Sequence, residues 1–229
     1  MKFLQRTVLA LTACLLIFSS CKKNNDEAPA PAKPFAITDN FIAGTLTSRS
    51  GTKSTSVFFI QLLEDNKALF INSSSTNLTG TYTLTDTELT FEVTGGNARI
   101  ARFALDKDKK VTSAYYKALT MEYDATGELL PVKTTNELAG KVFKGDEYKM
   151  GDLLFRSALV YNFANTSTSY GSGTDVGTIV NTANTYTLIG GSGFKYQSGS
   201  TTELGFVSGK RLTVFRSSGL SYYGKYDQQ

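Results

Sequence analysis

Residues 89–94 read Leu-Thr-Phe-Glu-Val-Thr, an alternation of apolar and polar side chains with a period of two. This period is typical of a β-strand with one face on a core and the other in water. Similar alternation occurs at residues 101–105, 119–123, 159–163 and 204–206. Clusters of Gly, Asn, Asp and Ser separate these segments, and no stretch from residue 35 onward has the pattern of an amphipathic helix. The sequence therefore predicts an all-β protein.

One predicted strand differs from the others in being apolar on both faces. Residues 57–63 read Val-Phe-Phe-Ile-Gln-Leu-Leu, so neither set of alternate side chains suits water. A strand of this kind is expected where both sides of a sheet are covered.

The chain also contains an internal repeat. Three short matches occur in the same order in both halves: 40–44 with 136–140, 81–84 with 185–188, and 109–112 with 210–213. A repeat of this length predicts two related domains, each with about eight short strands. The boundary is expected between Thr126 and Glu137, where Gly127 and Pro131 interrupt the strand pattern.

A meander of about eight strands removes its exposed edges when it closes into a barrel, whose interior holds its own side chains or one small ligand. We therefore predict two antiparallel up-and-down barrels in tandem, in residues 36–126 and 136–229. An open β-sandwich is the alternative.

The motifs of the first repeat resemble the lipocalin-like domains of bacterial lipoproteins. Gly80-Thr81-Tyr82 and Leu89-Thr90-Phe91 match the Gly-x-Tyr strand and the following Leu-x-Phe strand of the central hairpin in that family. The resemblance covers residues 40–124 and implies a small barrel. Lipocalins proper also have a Gly-x-Trp motif, which this chain lacks because it contains no tryptophan. Their ligands and receptors are therefore not implied.

The first 20 residues have the features of a secretory signal peptide. Lys2 and Arg6 precede an apolar stretch at residues 8–18, which is too short to span a bilayer. Residues 17–21, Ile-Phe-Ser-Ser-Cys, then resemble the lipobox of bacterial lipoproteins. The resemblance implies cleavage before Cys21 and acylation of its thiol, which would anchor the protein stably in a membrane. An ordinary signal peptide followed by an unrelated cysteine is the alternative.

Residues 21–35 are polar and rich in proline, and we expect them to form a solvated tether. Their charged start, residues 22–27, loosely resembles the stretch that sends some lipoproteins of Gram-negative bacteria to the cell surface. The expected location is the outer membrane, with either side possible.

Composition removes several classes of function. The chain has no histidine, and its two cysteines are Cys14, within the signal peptide, and Cys21. A Cys/His zinc site, a disulfide framework and a Ser-His-Asp triad are thus excluded. The densest basic run, residues 106–110, is interleaved with acids, so nucleic acid is not an expected partner. We predict a protein that is not an enzyme, without catalytic residues, metal or cofactor; paired carboxylates remain the one catalytic alternative.

The candidate ligand contacts are the tyrosine pairs Tyr115-Tyr116 and Tyr222-Tyr223, one near the end of each repeat. Exposed tyrosine rings can stack on sugars or line the mouth of a cavity, whereas buried ones pack in a core. Adjacent side chains on a strand point to opposite faces, so one tyrosine of each pair should lie off the core. The sequence favours an anchored binding module for a hydrophobic small molecule or a glycan. The alternative is a structural or interaction protein of the cell envelope.

Overall fold

The structure is a computed structural model that describes residues 34–174 and 184–229. The predicted signal peptide, Cys21 and most of the tether lie outside the described residues. Residues 36–229 form one compact unit. The described part contains eighteen strands and two single-turn 3-10 helices, Ile37–Asp39 and Gly95–Asn97. No helix in that part is long and apolar enough to cross a membrane. The prediction of an all-β protein is confirmed.

The first sheet closes into a barrel. Its strands are β1 (Asn40–Ser48), β2 (Thr55–Leu62), β3 (Lys67–Ile71), β4 (Leu78–Leu84), β5 (Glu88–Val93), β6 (Arg99–Leu105), β7 (Val111–Ala118), β8 (Met121–Ala125) and β9 (Glu128–Pro131). Chain neighbours pair antiparallel from β1 to β8, and β1 also pairs with β8 and β9.

β8 and β9 together complete the first barrel as its eighth strand. β8 pairs with the end of β1 and β9 pairs with its beginning, with Gly127 between them. A Cβ at Gly127 would come within 2.6 Å of the Phe103 ring, which explains the glycine. β9 lies in the segment that the sequence assigned to neither domain.

The second sheet has the same up-and-down order. Its strands are β10 (Val142–Lys149), β11 (Leu153–Phe163), β12 (Ser169–Gly173), β13 (Asn184–Thr185), β14 (Thr187–Ile189), β15 (Gly193–Ser198), β16 (Thr201–Ser208), β17 (Arg211–Ser218) and β18 (Leu220–Gln228). β10 pairs with β18, while β13 pairs with β12 and β14 with β15. Only Tyr186 separates β13 from β14, so these two form one interrupted strand. Its first part pairs with β12 and its second part with β15, which completes the circle of strands. The two tandem barrels are confirmed in place of an open sandwich.

Two of the three sequence matches fall at equivalent places in the two barrels. Residues 81–84 and 185–188 belong to the fourth strand position, and residues 109–112 and 210–213 to the turn between the sixth and seventh. Residues 40–44 lie in β1, whereas residues 136–140 form the turn that precedes β10.

Side chains fill the interior of the first barrel, and all of the buried ones are apolar or tyrosine. Phe58, Phe70 and Phe91 form a stack with centroids 5.7 Å and 5.9 Å apart. Tyr116 packs against the same rings.

The two barrels share an apolar interface. Phe58 and Ile60 of β2 point into the first barrel, whereas Val57 and Phe59 point outward into a cluster that also contains residues of the second barrel. The second barrel contributes Ile189, Leu204, Phe206 and Phe215. The doubly apolar strand is thus covered on both faces, as its sequence predicts.

The turns at one end of each barrel lie on the same side of the compact unit. Lys53, in the β1–β2 loop, forms an ion pair of 2.7 Å with Asp152, in the β10–β11 turn. The β7–β8 and β17–β18 turns lie at this end too, by the direction of their strands. We call it the distal end, because Ala36 and the linker between the barrels lie at the other.

Candidate functional site

The four candidate tyrosines lie in different environments. Tyr116 is buried inside the first barrel, and Tyr222 is buried beneath the distal end of the second. Tyr115 and Tyr223 lie on the outer faces and are partly exposed. The Tyr115 hydroxyl donates a hydrogen bond of 3.0 Å to the Glu122 carboxylate. The structure does not bring the two pairs together, and their contact with a ligand remains a prediction.

Tyr223 belongs to an open groove on the outer face of β10 and β18. It lies directly opposite Tyr148 in the register of these strands. The groove has a volume of about 600 Å³, and charged side chains surround the two tyrosines: Asp146, Asp152, Lys225 and Asp227. We call it the tyrosine groove. A smaller adjoining recess shares both tyrosines and adds Lys53, Ser54, Thr55 and Ser221.

The tyrosine groove combines aromatic surface with hydrogen-bonding groups of both kinds. Tyr148 is more than a third exposed. Burial raises the pKa of Tyr223 to about 12, so its hydroxyl remains protonated and can donate at neutral pH. The Asp146 carboxylate accepts the Ala158 N–H at 2.9 Å, which fixes its position. Such a surface can stack on an apolar ring face and bind hydroxyl groups at its edge.

A buried polar cluster occupies the interior of the second barrel toward the distal end. Glu147 is 1% exposed and accepts two hydrogen bonds from Arg216, at 3.0 Å and 2.8 Å. Glu203 is 4% exposed and accepts from the hydroxyls of Tyr170 at 2.7 Å and Tyr161 at 3.4 Å. Arg216 also stacks on Tyr222, with its guanidinium carbon 4.0 Å from the ring centroid.

Burial raises the pKa values of Glu203 and of the two tyrosines that contact it. Loss of solvent raises the pKa of Glu203 above its ordinary value, because the charged carboxylate is poorly solvated there. Burial also raises the pKa values of Tyr161 and Tyr170, so both remain hydrogen-bond donors. Both oxygens of the Glu147 carboxylate accept hydrogen bonds from Arg216, and one oxygen of Glu203 accepts from two tyrosine hydroxyls. Such mutual bonding of buried polar groups is typical of a structural network.

The sequence does not indicate this cluster, because no motif joins its members. Glu147 and Glu203 lie on strands far apart in the sequence. The pattern at Leu204 and Phe206 predicted a strand with one face in water, but this prediction is wrong. Leu204 and Phe206 face the other barrel, and Glu203 lies on the opposite, equally buried face. The signal that could have revealed the cluster is the lone glutamate Glu203 directly before the run Leu204-Gly205-Phe206-Val207, which has no charged or hydrogen-bonding side chain.

No group of three acidic, cysteine or histidine side chains within residues 34–174 and 184–229 could hold a metal ion. Comparisons of the chain with protein-family models, with curated proteins and with solved structures find no match.

The raised pKa of Glu203 predicts a pH-dependent effect of Glu203→Gln. A carboxyl whose pKa is higher in the folded state contributes its full stability below the pKa of the unfolded chain. It loses that contribution as pH rises through the folded value. We therefore expect the free energy of unfolding of the variant, relative to that of wild type, to increase as the pH rises from 4 to 8. Urea unfolding at the two pH values measures this difference.

The control is Glu92→Gln, at an exposed position, which should change stability by less than about 0.5 kcal/mol at either pH. A Glu203→Gln effect that did not vary with pH would show that this carboxyl does not titrate differently on folding.

Proposed function

We propose that the chain is a lipid-anchored, non-enzymatic binding module that holds a glycan in the tyrosine groove. The observation that carries the proposal is the direct pairing of Tyr148 with Tyr223 on an open outer face. Sugars bind proteins through ring stacking combined with hydrogen bonds to carboxylates, and Asp146, Asp152 and Asp227 lie at this groove.

A hydrophobic small molecule inside a barrel has less support. The first interior is filled by its own apolar side chains, and the second by aromatic rings and the buried polar cluster. The alternative of an envelope protein that binds through strand edges also has less support. In each barrel the last strands pair with the first strand, so those edges are already occupied.

The anchor belongs to the same proposal. Residues 1–21 support export, cleavage before Cys21 and acylation of that residue, with the outer membrane as the location. Mass spectrometry of the mature N-terminal peptide tests this step, since an unmodified cysteine would favour ordinary signal cleavage.

Substitution of either groove tyrosine is expected to weaken glycan binding. In native gels cast with single polysaccharides, at least one polysaccharide should retard the wild-type chain from Lys22 onward. Tyr148→Ala and Tyr223→Ala should each raise the dissociation constant by about tenfold, because each removes one stacking ring. The matched control is Tyr115→Ala, the outward candidate tyrosine of the first barrel. Tyr115 does not line the tyrosine groove, so under this proposal it makes no ligand contact and the variant should bind as wild type does.

Two outcomes would count against the groove. One is equal retardation of Tyr223→Ala and wild type by the same polysaccharide. The other is a small molecule that copurifies with the folded chain and is lost on denaturation, which would favour a site inside a barrel.

A further inference from the structure

We propose that the β10–β11 turn docks the protein on an anionic lipid surface. The turn and the start of β11 present a cluster of exposed apolar side chains at the distal end: Met150, Leu153, Leu154 and Phe155. Leu153 and Leu154 are 57% and 56% exposed. We call these four residues the apolar tip. Consecutive large apolar residues at a turn are unusual on a protein surface and mark a contact with a partner or a membrane.

The charges around the apolar tip favour an anionic partner. Lys149 precedes the tip and Arg156 follows it. The only acidic residue within the turn, Asp152, is paired with Lys53 at 2.7 Å. Glu147, 3.8 Å from Arg156, is already held by two hydrogen bonds from Arg216. The tip is therefore flanked by an excess of positive charge.

An anionic lipid surface is complementary both to the exposed apolar side chains of the tip and to the positive charges beside them. Apolar side chains can enter the boundary between headgroups and acyl chains, while flanking lysine and arginine side chains reach the phosphates. Each such cation near an anionic bilayer contributes about 1 kcal/mol of attraction. A second copy of the same tip would instead bring like charges together.

The proposed anchor permits this contact. The segment from Cys21 to Ala36 can extend to about 50 Å, because an extended residue spans roughly 3.3 Å. The nine residues of β1 rise only about 30 Å. The lipid on Cys21 and the apolar tip can therefore reach one bilayer, although Ala36 lies at the other end of the first barrel.

The test uses a tryptophan reporter, because the chain has no tryptophan of its own. The protein is the chain from Lys22 onward, which retains the whole compact unit of residues 36–229 with both closed barrels. Leu154→Trp should shift its emission to the blue on addition of vesicles of phosphatidylcholine and phosphatidylglycerol. The shift should be smaller with phosphatidylcholine alone or at high salt.

The matched reporter is Leu119→Trp, in the β7–β8 turn of the same end. Leu119 is 58% exposed, but the carboxylates of Glu122 and Asp124 offset the positive charges of Arg49, with which both are paired, and of Lys117, so this turn has no excess of positive charge. Its emission should not change. In vesicle sedimentation, the double variant Leu153→Ser with Leu154→Ser should bind about tenfold more weakly than wild type. Lys149→Glu should weaken binding by roughly fivefold or more.

Equal shifts of the two reporters, or no shift with anionic vesicles, would overturn the proposal. So would vesicle binding by the double serine variant equal to that of wild type, or a tip that crosslinks to an envelope protein without binding vesicles. The polysaccharide gels contain no lipid, so failure here leaves the glycan proposal unaffected, and the reverse also holds.

Discussion

Arg216→Ala is expected to lower the free energy of unfolding by about 3–5 kcal/mol, because it removes both hydrogen bonds to the buried Glu147 carboxylate and leaves only Arg156, at 3.8 Å, as a charged neighbour. Arg216 is the only side chain among the described residues that makes two hydrogen bonds to Glu147. The side chains of the pair are 12% and 1% exposed, so water cannot replace the lost contacts. Urea unfolding at neutral pH measures the effect.

The control for this prediction is another arginine–carboxylate pair in the same barrel. Arg211 donates a hydrogen bond of 2.9 Å to Asp227, but both side chains are more than half exposed. Arg211→Ala should therefore lower stability by no more than about 1 kcal/mol. Adding Glu147→Gln to Arg216→Ala should recover part of the loss, because it removes the unpaired charge. Similar losses for the two arginine variants would contradict the role assigned to the buried pair.

Phe58→Ala is expected to lower the free energy of unfolding by a similar amount, about 3–5 kcal/mol. The ring is completely buried in the first barrel, and its neighbours come from three other strands. Its centroid lies 5.7 Å from that of Phe70, 6.4 Å from that of Phe103 and 6.1 Å from that of Tyr116. Rings held by a closed ladder cannot collapse far into the space left behind, so most of the cavity should remain.

The control for Phe58 is Leu63→Ala, one residue beyond the end of the same strand. Leu63 is 44% exposed, and its loss should change stability by no more than about 0.5 kcal/mol. A small effect of Phe58→Ala in the same urea titration would indicate that the first interior is loosely packed. A loosely packed interior would in turn restore the possibility of a ligand inside that barrel.

Much of the fold follows from local patterns that the sequence displays directly. The alternation at Leu89, Phe91 and Val93 predicts a strand with one buried face, and these three side chains do line the first interior. The doubly apolar strand at Val57 to Leu62 is covered on both faces because a second barrel packs against it. The internal repeat indicates that the barrel is duplicated, because two of its matching segments lie at equivalent strands and turns of the two barrels.

The remainder depends on contacts between distant parts of the chain, which a single sequence does not display. Period-two alternation does not show that a second barrel covers the outer face of a strand, so the strand of Leu204 and Phe206 was predicted to have one face in water although both faces are buried. The break at Tyr186 and the short pairing of β9 with β1 depend on how each barrel closes. Tyr223 was identified from the sequence, but its partner Tyr148 was not, because the two meet only through strand register.

The glycan proposal is tested most directly by NMR on protein in which only the twelve tyrosines carry a nitrogen-15 label. The titrant is the polysaccharide that retards the wild-type chain, cut to short oligosaccharides. The proposal predicts that the amide signals of Tyr148 and Tyr223 shift together, while those of Tyr115 and of Tyr161 and Tyr170 in the second interior stay in place. Shifts confined to Tyr161 and Tyr170, or no shift at Tyr148 and Tyr223, would contradict it.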